Sequence, residues 1–371
     1  MEREIQFDRN LKILRKRAGL TRRDLAQRIN YTDKAIEKWE SGQSVPPLSV
    51  LCQIAQELGV GLETLVYTHC NEVRYFLGID GGGTKTAFRL EDACGTVIAQ
   101  CELGASNPND IGMEQCAAVL RSGILEATSG VNRRETAVFA GLAGGISDSN
   151  VEGIRKVLAQ YEFGFMDNGS DVDNALEMCL QGHDGVAVIA GTGSIAFAQK
   201  NGERQRVGGW GYLLDGGGSG YNLGRDALEA AFRDMDGRGR KTILTQLLEA
   251  RFGKPLDQAI PELYSGGKRL IASLAPLVFE ACGMADAEAA GVLRRNAAYL
   301  AELIQTAAKF VGDPTAPVVV CGGLAHRGDL LETYIREFLQ EPYDLRFCED
   351  PMVTGAVMCA RRKYAEYGKT E

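Results

Sequence analysis

The sequence predicts a small all-α domain followed by a larger two-lobed α/β body, and two observations lead to this division. Residues 10–66 place apolar side chains at helical spacing between several chain breaks. Farther on, residues 75–92 and 186–199 each read as an apolar strand, a glycine-rich turn and a second strand. Two such hairpins, about a hundred residues apart, indicate two similar lobes with a ligand between them.

Composition restricts the class of protein. The chain has 371 residues, 45% of them hydrophobic, which is enough for two or three domains. Its net charge is −8, but residues 1–74 carry 12 Lys+Arg against 10 Asp+Glu, whereas the remainder carry 29 against 39. Nucleic-acid binding is therefore expected only of the N-terminal part.

The cysteine and hydropathy patterns indicate a soluble cytoplasmic protein without a membrane partner. The ten cysteines include no C-x-x-C pair, and the three histidines lie far apart, which disfavours a zinc site and a disulfide framework. No run approaches the roughly 18 apolar residues of a membrane span.

Five short helices are predicted within residues 1–70. The first carries Leu11 and Leu14, and the second begins at a capping box formed by Thr21 and Asp24. The third is capped by Thr32, "LSVLCQIAQEL" is the fourth and "LETLVY" the fifth. The stretch "THCNEVR" then reads as a linker to the α/β body.

This segment resembles the Cro/C1-type (XRE) helix-turn-helix family through "LTRRDLAQRINYTDKAIEKWESG". The resemblance implies a DNA partner, with the third helix in the major groove, and half-site reading implies a homodimer. A small helical protein-interaction module is the alternative, because two of the residues placed at the bases are acidic. The residues implied at base edges are Thr32, Asp33, Lys34 and Glu37, and those implied near the DNA backbone are Arg22, Arg23, Lys38 and Gln43.

The first glycine-rich loop, "GIDGGGTKT", matches neither of two common nucleotide motifs. In a Walker A loop Gly and Lys are adjacent, whereas Thr84 separates Gly83 from Lys85 here. A dinucleotide fingerprint is followed by a helix, whereas two alternating strands follow here. A hairpin that wraps phosphates remains, and a plain glycine-rich hairpin is the alternative.

Such a hairpin suits ATP with Mg²⁺. Asp80, at the end of the first strand, can hold the water shell of Mg²⁺. The turn residues Gly81, Gly82, Gly83 and Thr84 can bind phosphate oxygens, and Lys85 adds charge for phosphoryl transfer.

Two further elements support a nucleotide site. The second hairpin turns at Gly191, Thr192, Gly193 and Ser194. A buried strand then ends at Cys321 and is followed by Gly322 and Gly323 and a predicted helix. Paired glycines there would let an adenosine lie against the backbone.

These elements, in this order, resemble the actin, hexokinase and sugar-kinase superfamily with its ribonuclease H-like lobes. Within it, residues 75–360 resemble the BadF/BadG/BcrA/BcrD-type ATPases and their relatives the N-acetylglucosamine kinases. The stretches that carry this resemblance are "GIDGGGTKT", "ASNPNDIG", "GLAGG", "SDVDNAL", "IAGTGSIA", "GGWGYLLDGGGSGYNLGRDAL", "VVVCGGLAHRGDLL" and "TGAVMCA".

The resemblance implies a domain organisation and an activity. The helix-turn-helix domain would cover residues 1–70 and the ATPase domain 75–371. Lobe I would span 75–184 and regain a C-terminal helix at 353–367, and lobe II would span 185–350. The implied activity is ATP-dependent, Mg²⁺-assisted phosphorylation of an amino sugar. The cysteines of the iron–sulfur activators and the zinc cluster of ROK kinases have no counterpart in the sequence.

The proton acceptor is sought in "FMDNGSDVDNAL", which offers Asp167, Asp171 and Asp173. The family's base opens a helix and precedes the second phosphate loop by about twenty residues, and Asp171 fits both conditions. The alternative is that Asp171 is only a helix N-cap, in which case Asp173 is the reserve candidate.

Substrate contacts are implied at four residues. Asn107, after Ser106, matches the family's sugar-binding Ser/Thr-Asn, with an ordinary turn as the alternative. Gly209, Trp210 and Asp215 lie in the stretch that lines the sugar site, although Trp210 could instead belong to a core.

One departure from the family pattern favours a second function. Gly216 and Gly217 replace the family's Asp-Glu pair, so only Asp215 could supply a sugar-binding carboxylate. This departure and the attached DNA-binding domain favour a transcription regulator whose kinase-like body senses sugar and ATP without efficient turnover.

Overall fold

The structure is a computed structural model that describes residues 5–66 and 73–369. The predicted linker lies outside the described residues from position 68 to position 72. The described residues form two compact units, one reaching Asn174 and resuming at Val353, the other spanning Ala175–Met352. This division falls inside a helix, ahead of the predicted lobe boundary after residue 184.

The N-terminal part is helical, and its helix starts follow local capping. Thr21 and Asp24 form the predicted capping box, in which Asp24 N donates to Thr21 Oγ1 at 3.1 Å and Thr21 N to Asp24 Oδ2 at 2.9 Å. Thr32 Oγ1 accepts from Ala35 N at 3.3 Å, as predicted for the next helix. The helices are α1 (Phe7–Arg17), α2 (Arg22–Arg28), α3 (Asp33–Glu40), α4 (Leu48–Glu57) and α5 (Leu62–Val66).

A small apolar core with one buried ion pair holds these helices together. Leu25, Ile36 and Trp39 are buried in it. Arg15 is fully buried, donates to Glu40 Oε1 at 2.6 Å and also to the backbone oxygen of Leu20. Removal of Glu40 would break this buried pair, which costs about 3–5 kcal/mol.

The first compact unit contains a five-stranded sheet of order β3-β2-β1-β4-β5. Strands β1 to β3 are antiparallel, whereas β1, β4 and β5 are parallel. The strands are β1 (Tyr75–Gly81), β2 (Lys85–Asp92), β3 (Val97–Gly104), β4 (Thr136–Leu142) and β5 (Phe165–Gly169). The helices that follow them are α6 (Pro108–Ile111), α7 (Met113–Ala127), α8 (Asp148–Ala159) and α9 (Asp171–Leu180), the last of which crosses the division between the units.

Helices cover both faces of this sheet. Leu77 and Ile79 on β1 join a core with α7 and α8. Phe76 and Phe139 pack on the other face against α16 (Met352–Lys369), the C-terminal helix of the described chain. The alternation of buried side chains along β1 therefore supplies both cores.

The second unit repeats this topology in a sheet of order β10-β9-β6-β7-β8. Here β6 and β7 form the antiparallel hairpin, and β9 and β10 are parallel to β6. The strands are β6 (Gly185–Ala190), β7 (Ser194–Lys200), β8 (Glu203–Val207), β9 (Pro317–Cys321) and β10 (Asp344–Cys348). The helices are α10 (Gly220–Met235), α11 (Ile243–Phe252), α12 (Ile260–Ala272), α13 (Ala275–Gly283), α14 (Ala287–Val311) and α15 (Gly328–Arg336).

The shared topology fixes where polar loops collect. In each sheet the central strand ends at a glycine turn, and its parallel neighbours end at the same edge, where ligands bind in open α/β sheets. Among the described helices, none combines the length and the apolar character needed to cross a membrane.

Candidate active site

The first glycine hairpin joins β1 to β2 and leaves no room for side chains at its base. A Cβ at Gly81 would overlap Ser106 Oγ and lie 2.8 Å from the Leu142 side chain. Gly82 N donates to the oxygen of Lys85 at 3.0 Å, which closes the turn. Glycine at 81 is therefore required by packing.

Asp80 is the next-to-last residue of β1, beside this turn, and its carboxylate is held by an amide from α9. Asn174 Nδ2 donates to Asp80 Oδ1 at 2.7 Å and to the oxygen of Gly141 at 3.1 Å. A Cβ at Gly141 would overlap that amide, so a glycine is needed at this strand end. Asn174 is fully buried and fixes the Asp80 carboxylate on the edge of the sheet.

The environment of Asp80 fits a cation. Burial raises the pKa of Asp80 to about 6, against the opposing effect of the Asn174 hydrogen bond, and the nearby Asp171 carboxylate raises the pKa further. Two carboxylates in a poorly solvated place repel one another, and a bound cation relieves that repulsion. One carboxylate with water ligands is the arrangement that Mg²⁺ prefers.

Asp171 is the first residue of α9, and its neighbours perform the capping. Ser170 Oγ accepts from Val172 N at 3.1 Å, and Asp173 Oδ2 accepts from Ser170 N at 2.7 Å. Asp171 Oδ1 accepts from Ser170 Oγ at 2.9 Å. In the part of the chain that the structure describes, Asp171 Oδ2 has no hydrogen bond. Burial raises the pKa of Asp171, although these hydrogen bonds lower it.

The other two carboxylates of this region are engaged. Asp173 accepts the backbone amide that starts α9, which is the N3 role of a capping box. Asp167 Oδ2 pairs with Lys363 Nζ at 2.8 Å. Of the three predicted carboxylates, Asp171 is thus the one with an oxygen left for a substrate.

Two predicted contacts in this unit form bonds within the protein. Lys85 Nζ lies 2.6 Å from Glu102 Oε2, on the neighbouring strand β3. Asn107 caps α6, since its Oδ1 accepts from Asn109 N at 3.0 Å while its Nδ2 donates to Asp110 Oδ2 at 2.8 Å. Asn107 therefore stabilises the start of a short helix, and its sugar contact stays a prediction.

The second glycine hairpin, between β6 and β7, is tied to the start of α10. Gly191 N donates to the oxygen of Gly193 at 2.9 Å, and Gly220 N donates to the oxygen of Gly191 at 2.8 Å. Ser194 Oγ donates to the oxygen of Gly217 at 2.5 Å. These hydrogen bonds hold the hairpin against the loop that precedes α10.

That loop, residues 208–219, has an exposed and largely apolar part at residues 210–214. Trp210 is 66% exposed, so it is no core residue, and the Arg206 guanidinium lies 4.4 Å from the centre of its ring. Asp215 accepts from the Tyr299 hydroxyl at Oδ1 and from Trp210 N at Oδ2, 3.2 Å away. Gly209 has a φ of 73°, a conformation that favours glycine.

Tyr299 on α14 and Asn222 on α10 occupy the space that side chains at positions 217 and 216 would need. A Cβ at Gly217 would overlap the Tyr299 ring, and a Cβ at Gly216 would lie 2.9 Å from Asn222 Nδ2. The place of an acidic side chain at 217 is thus taken by a phenol ring that binds Asp215. Beside these glycines, α10 and α14 enclose a cavity of about 460 Å³ rimmed by Arg225, Arg233 and Arg295 and by Asp226, Glu229 and Glu288.

The predicted adenosine element also requires glycine, but a helix does not follow it at once. Gly322 has φ 91°, and a Cβ there would lie 2.8 Å from the oxygen of Ala190. Gly323 begins a 3₁₀ turn, Gly323–Arg327, before α15. The backbone at Gly322 therefore approaches the end of β6 more closely than any residue with a side chain could.

The predicted DNA-contacting residues of α3 lie on one exposed face. Thr32, Asp33, Lys34, Glu37 and Lys38 are exposed, while Ile36 and Trp39 of the same helix are buried. Arg23 and Gln43 are exposed as well. Arg22 differs, because its Nε donates to Glu40 Oε2 at 2.8 Å and so helps to neutralise that buried carboxylate.

Two residues that the sequence did not single out contact predicted site residues, each within its own unit. Asn174 lies three residues after Asp171, one helical turn away, so the helical period was a signal for it. Tyr299 lies 84 residues from Asp215, and nothing in its local sequence indicates the contact.

Comparison with known proteins identifies both parts. Residues 77–357 match the BadF/BadG/BcrA/BcrD ATPase family. The chain belongs to this ATPase family. Residues 11–65 match a helix-turn-helix family, so the BadF-type ATPase region follows a helix-turn-helix domain here.

The relatives and solved structures that this BadF-type chain resembles include sugar kinases. An N-acetylmuramic acid/N-acetylglucosamine kinase of Clostridium acetobutylicum is 30% identical over 78% of the chain and 99% of the relative. The crystal structure of a putative N-acetylglucosamine kinase from Chromobacterium violaceum is 26% identical, with TM-score 0.59 and coverage of 78% of this chain and 99% of that one. The fold is therefore the two-sheet α/β fold of actin-like sugar kinases.

A third similarity extends over the whole chain. A ROK family transcriptional regulator, a homolog of the E. coli MLC protein, covers 98% of this chain and 96% of its own, with TM-score 0.55 and 13% identity. At that identity the likeness is one of fold.

Proposed function

We propose that the protein is an ATP-dependent kinase of an amino sugar of the N-acetylglucosamine type, with a DNA-binding head. The observation that carries the proposal is Asp171, a half-buried carboxylate with a raised pKa, one oxygen without a protein partner, and Asp80 nearby. The kinase relatives named above support the substrate class. The proposed domains are residues 1–70 for DNA and 75–371 for catalysis, in the cytoplasm.

The proposed reaction begins with a proton transfer to Asp171. Its free oxygen takes the proton of a sugar hydroxyl, whose oxygen then forms a bond to the γ-phosphorus of ATP. The bond between that phosphorus and the β,γ-bridging oxygen breaks, and ADP leaves with the electron pair. The raised pKa of Asp171 strengthens it as a proton acceptor.

The remaining proposed residues would bind Mg²⁺, ATP and the sugar and hold them in position. Asp80, held by Asn174, is the residue that would hold Mg²⁺, which when bound offsets the phosphate charge. The backbone of Gly82 and Gly83 with Thr84 would bind phosphates on the first hairpin. The other proposed contacts are Gly191, Thr192, Gly193 and Ser194 for phosphates, Gly322 and Gly323 for adenosine, and Asn107, Gly209, Trp210 and Asp215 for the sugar.

The direct test is ADP release by the full chain across a panel of amino sugars. We expect release that depends on N-acetylglucosamine or a close analogue, together with formation of the sugar phosphate. ADP release that no amino sugar stimulates would contradict the kinase proposal.

A sensor without efficient turnover is the second candidate, and a specific observation favours it. Tyr299 fills the space at Gly217 and binds Asp215, so position 217 has no room for an acidic side chain of the family's pair. For this function we expect sugar or ATP to alter DNA affinity without sugar phosphate being formed. Turnover at rates typical of enzymes would exclude it.

DNA binding by a homodimer through residues 1–70 is the remaining part of the proposal. The exposed cations Lys34 and Arg23 lie on α3 and α2, on the surface matched to DNA contacts. In the full chain, we expect Lys34→Ala with Arg23→Ala to weaken binding and to lower the salt slope by about one, since Arg23 is the residue placed near a phosphate. Failure of the parent chain to retain any genomic DNA fragment, with or without ligands, would make the head a protein-interaction module.

A further inference from the structure

The tip of the second hairpin offers hydrogen-bond donors and no acid. Thr192 and Gly193 are exposed, and within the described chain their backbone amides donate to no protein oxygen. No carboxylate belongs to the hairpin turn, Gly191 to Ser194. Exposed amides of a glycine turn form a concavity that suits an anion.

A lysine from a distant helix faces this tip. A Cβ built on Gly193 would lie 3.8 Å from Lys268 Nζ. Lys268 follows Gly267, which interrupts α12 with φ 54° and ψ −149° and so redirects the helix at that residue. Among the described residues, no carboxylate lies within ion-pair distance of Lys268.

An aromatic ring positions the ammonium group. Lys268 Nζ lies 5.2 Å from the centre of the Tyr212 ring, and Tyr212 in turn makes an edge contact with Tyr221 at 4.9 Å. A ring face attracts a cation without neutralising its charge. Lys268 is thus held near the hairpin with its full charge available.

We propose that Lys268 binds a phosphate oxygen of the nucleotide at the second hairpin, together with the amides of Thr192 and Gly193. The proposal rests on the nucleotide site of the proposed function and adds to it a residue outside every glycine motif. An ammonium group without a carboxylate partner, beside unsatisfied amides, is complementary to a polyphosphate and not to a cation or a neutral sugar.

The test compares nucleotides that differ in phosphate number, with binding to the full chain measured by calorimetry without sugar. We expect Lys268→Met to weaken ATP binding by about 10- to 100-fold, the usual range for a hydrogen bond to a charged group. Adenosine affinity stays within about twofold, because adenosine has no phosphate. Lys268→Arg keeps the charge and retains most of the ATP affinity.

Two controls separate this role from a structural one. Lys309→Met removes the same charge from an exposed position on α14 of the same unit and leaves ATP affinity unchanged. Tyr212→Leu removes the supporting ring and weakens ATP binding by about two- to fivefold. Thermal unfolding of each variant shows that it is folded.

The outcomes distinguish this inference from the kinase proposal. Equal loss of ATP and adenosine affinity in Lys268→Met, or no loss of either, overturns the role of Lys268. A wild-type chain that binds ATP, shows the phosphate-dependent loss in Lys268→Met and forms no sugar phosphate overturns the kinase proposal and supports Lys268. A wild-type chain that binds no nucleotide overturns both.

Discussion

The two glycine hairpins have the same topology but opposite electrostatic surroundings. The first gathers acids: burial and the Asp171 carboxylate raise the pKa of Asp80, and a Cβ at Gly83 would lie 2.9 Å from the carboxylate of Asp110. The one cation of its turn, Lys85, is paired with Glu102. The second hairpin has no acid in its turn, and Lys268 lies across from it without a carboxylate partner in the described chain.

This difference suggests that the hairpins perform different tasks. A cluster of carboxylates in a poorly solvated place favours a cation, whereas amides beside an ammonium group favour a phosphate. We infer that the first hairpin acts mainly on the metal and the reacting hydroxyl, and the second mainly on the polyphosphate. A strand–glycine–strand pattern alone does not distinguish these roles, because the deciding charges come from other elements.

The largest expected effect is that of Asp171→Asn. The variant keeps the size of the side chain but loses the proton acceptor, and general-base help is worth about 10²–10⁴ in rate. Sugar-dependent ADP release should fall by that factor, while sugar and ATP affinities change little. Turnover at the parent rate would remove Asp171 from the mechanism and leave Asp173, despite its capping role, as the next candidate.

The next effect concerns Asp80→Asn, which should weaken Mg·ATP binding by about 10- to 100-fold, as loss of a charged ligand does. Asp167→Asn is the matched control, since Asp167 pairs with Lys363 and should leave nucleotide affinity unchanged. Nucleotide affinity with and without Mg²⁺, measured for both variants, checks this. If Asp80→Asn and Asp167→Asn have the same nucleotide affinity with and without Mg²⁺, a metal role for Asp80 is contradicted.

The same substitution should stabilise the metal-free protein in a defined pH range. The pKa of Asp80 rises from 3.8 to about 6, so the folded state holds its proton more tightly than the unfolded chain. The wild type therefore loses stability as pH rises from about 4 to about 6, and the penalty is complete above that range. Asp80→Asn should gain about 1–3 kcal/mol in unfolding free energy at pH 7.5 and nothing at pH 3. An equal effect at both pH values would contradict this assignment.

In the loop before α10, Gly217→Glu tests whether Tyr299 has replaced the acidic pair. The new side chain overlaps the Tyr299 ring, and overpacking of this kind costs about 1–3 kcal/mol. Adding Tyr299→Ala should recover part of the loss and raise sugar affinity, because a carboxylate then has room. Denaturant unfolding and sugar titration of the single and double variants provide the measurement, and full stability in Gly217→Glu would show that the loop adapts freely.

The smallest effect is expected for Lys85→Met. Both members of the Lys85–Glu102 pair are more than half exposed, and such pairs contribute about 0–1 kcal/mol. Nucleotide affinity should change by less than about threefold, in contrast to the loss expected for Lys268→Met. A loss as large as that one would show that Lys85 leaves Glu102 to bind phosphate.

The sequence indicated those features that depend on local pattern. Alternation predicted the two strands after the first glycine turn, and an apolar run predicted the strand before each turn. Thr21 with Asp24 and Thr32 predicted the starts of α2 and α3. The two-lobed sugar-kinase fold followed from the order of the glycine motifs. Domain limits and the roles of individual site residues stay predictions.

Features decided by distant contacts could not be read from the sequence. Lys85 meets Glu102 only through the register of β2 with β3, 17 residues along the chain. Tyr299 and Lys268 reach their loops from helices whose own residues carry no motif. The sequence predicted where each loop lies. The charged and aromatic groups around it come from distant elements, and local sequence does not specify that packing.

The most direct test of the division between the hairpins is nucleotide affinity as a function of Mg²⁺ concentration for wild type, Asp80→Asn and Lys268→Met. We expect Asp80→Asn to lose most of the Mg²⁺ dependence. Lys268→Met should keep that dependence and bind more weakly at every Mg²⁺ concentration. Two variants with the same Mg²⁺ response, whether both lose it or both keep it, would contradict the account.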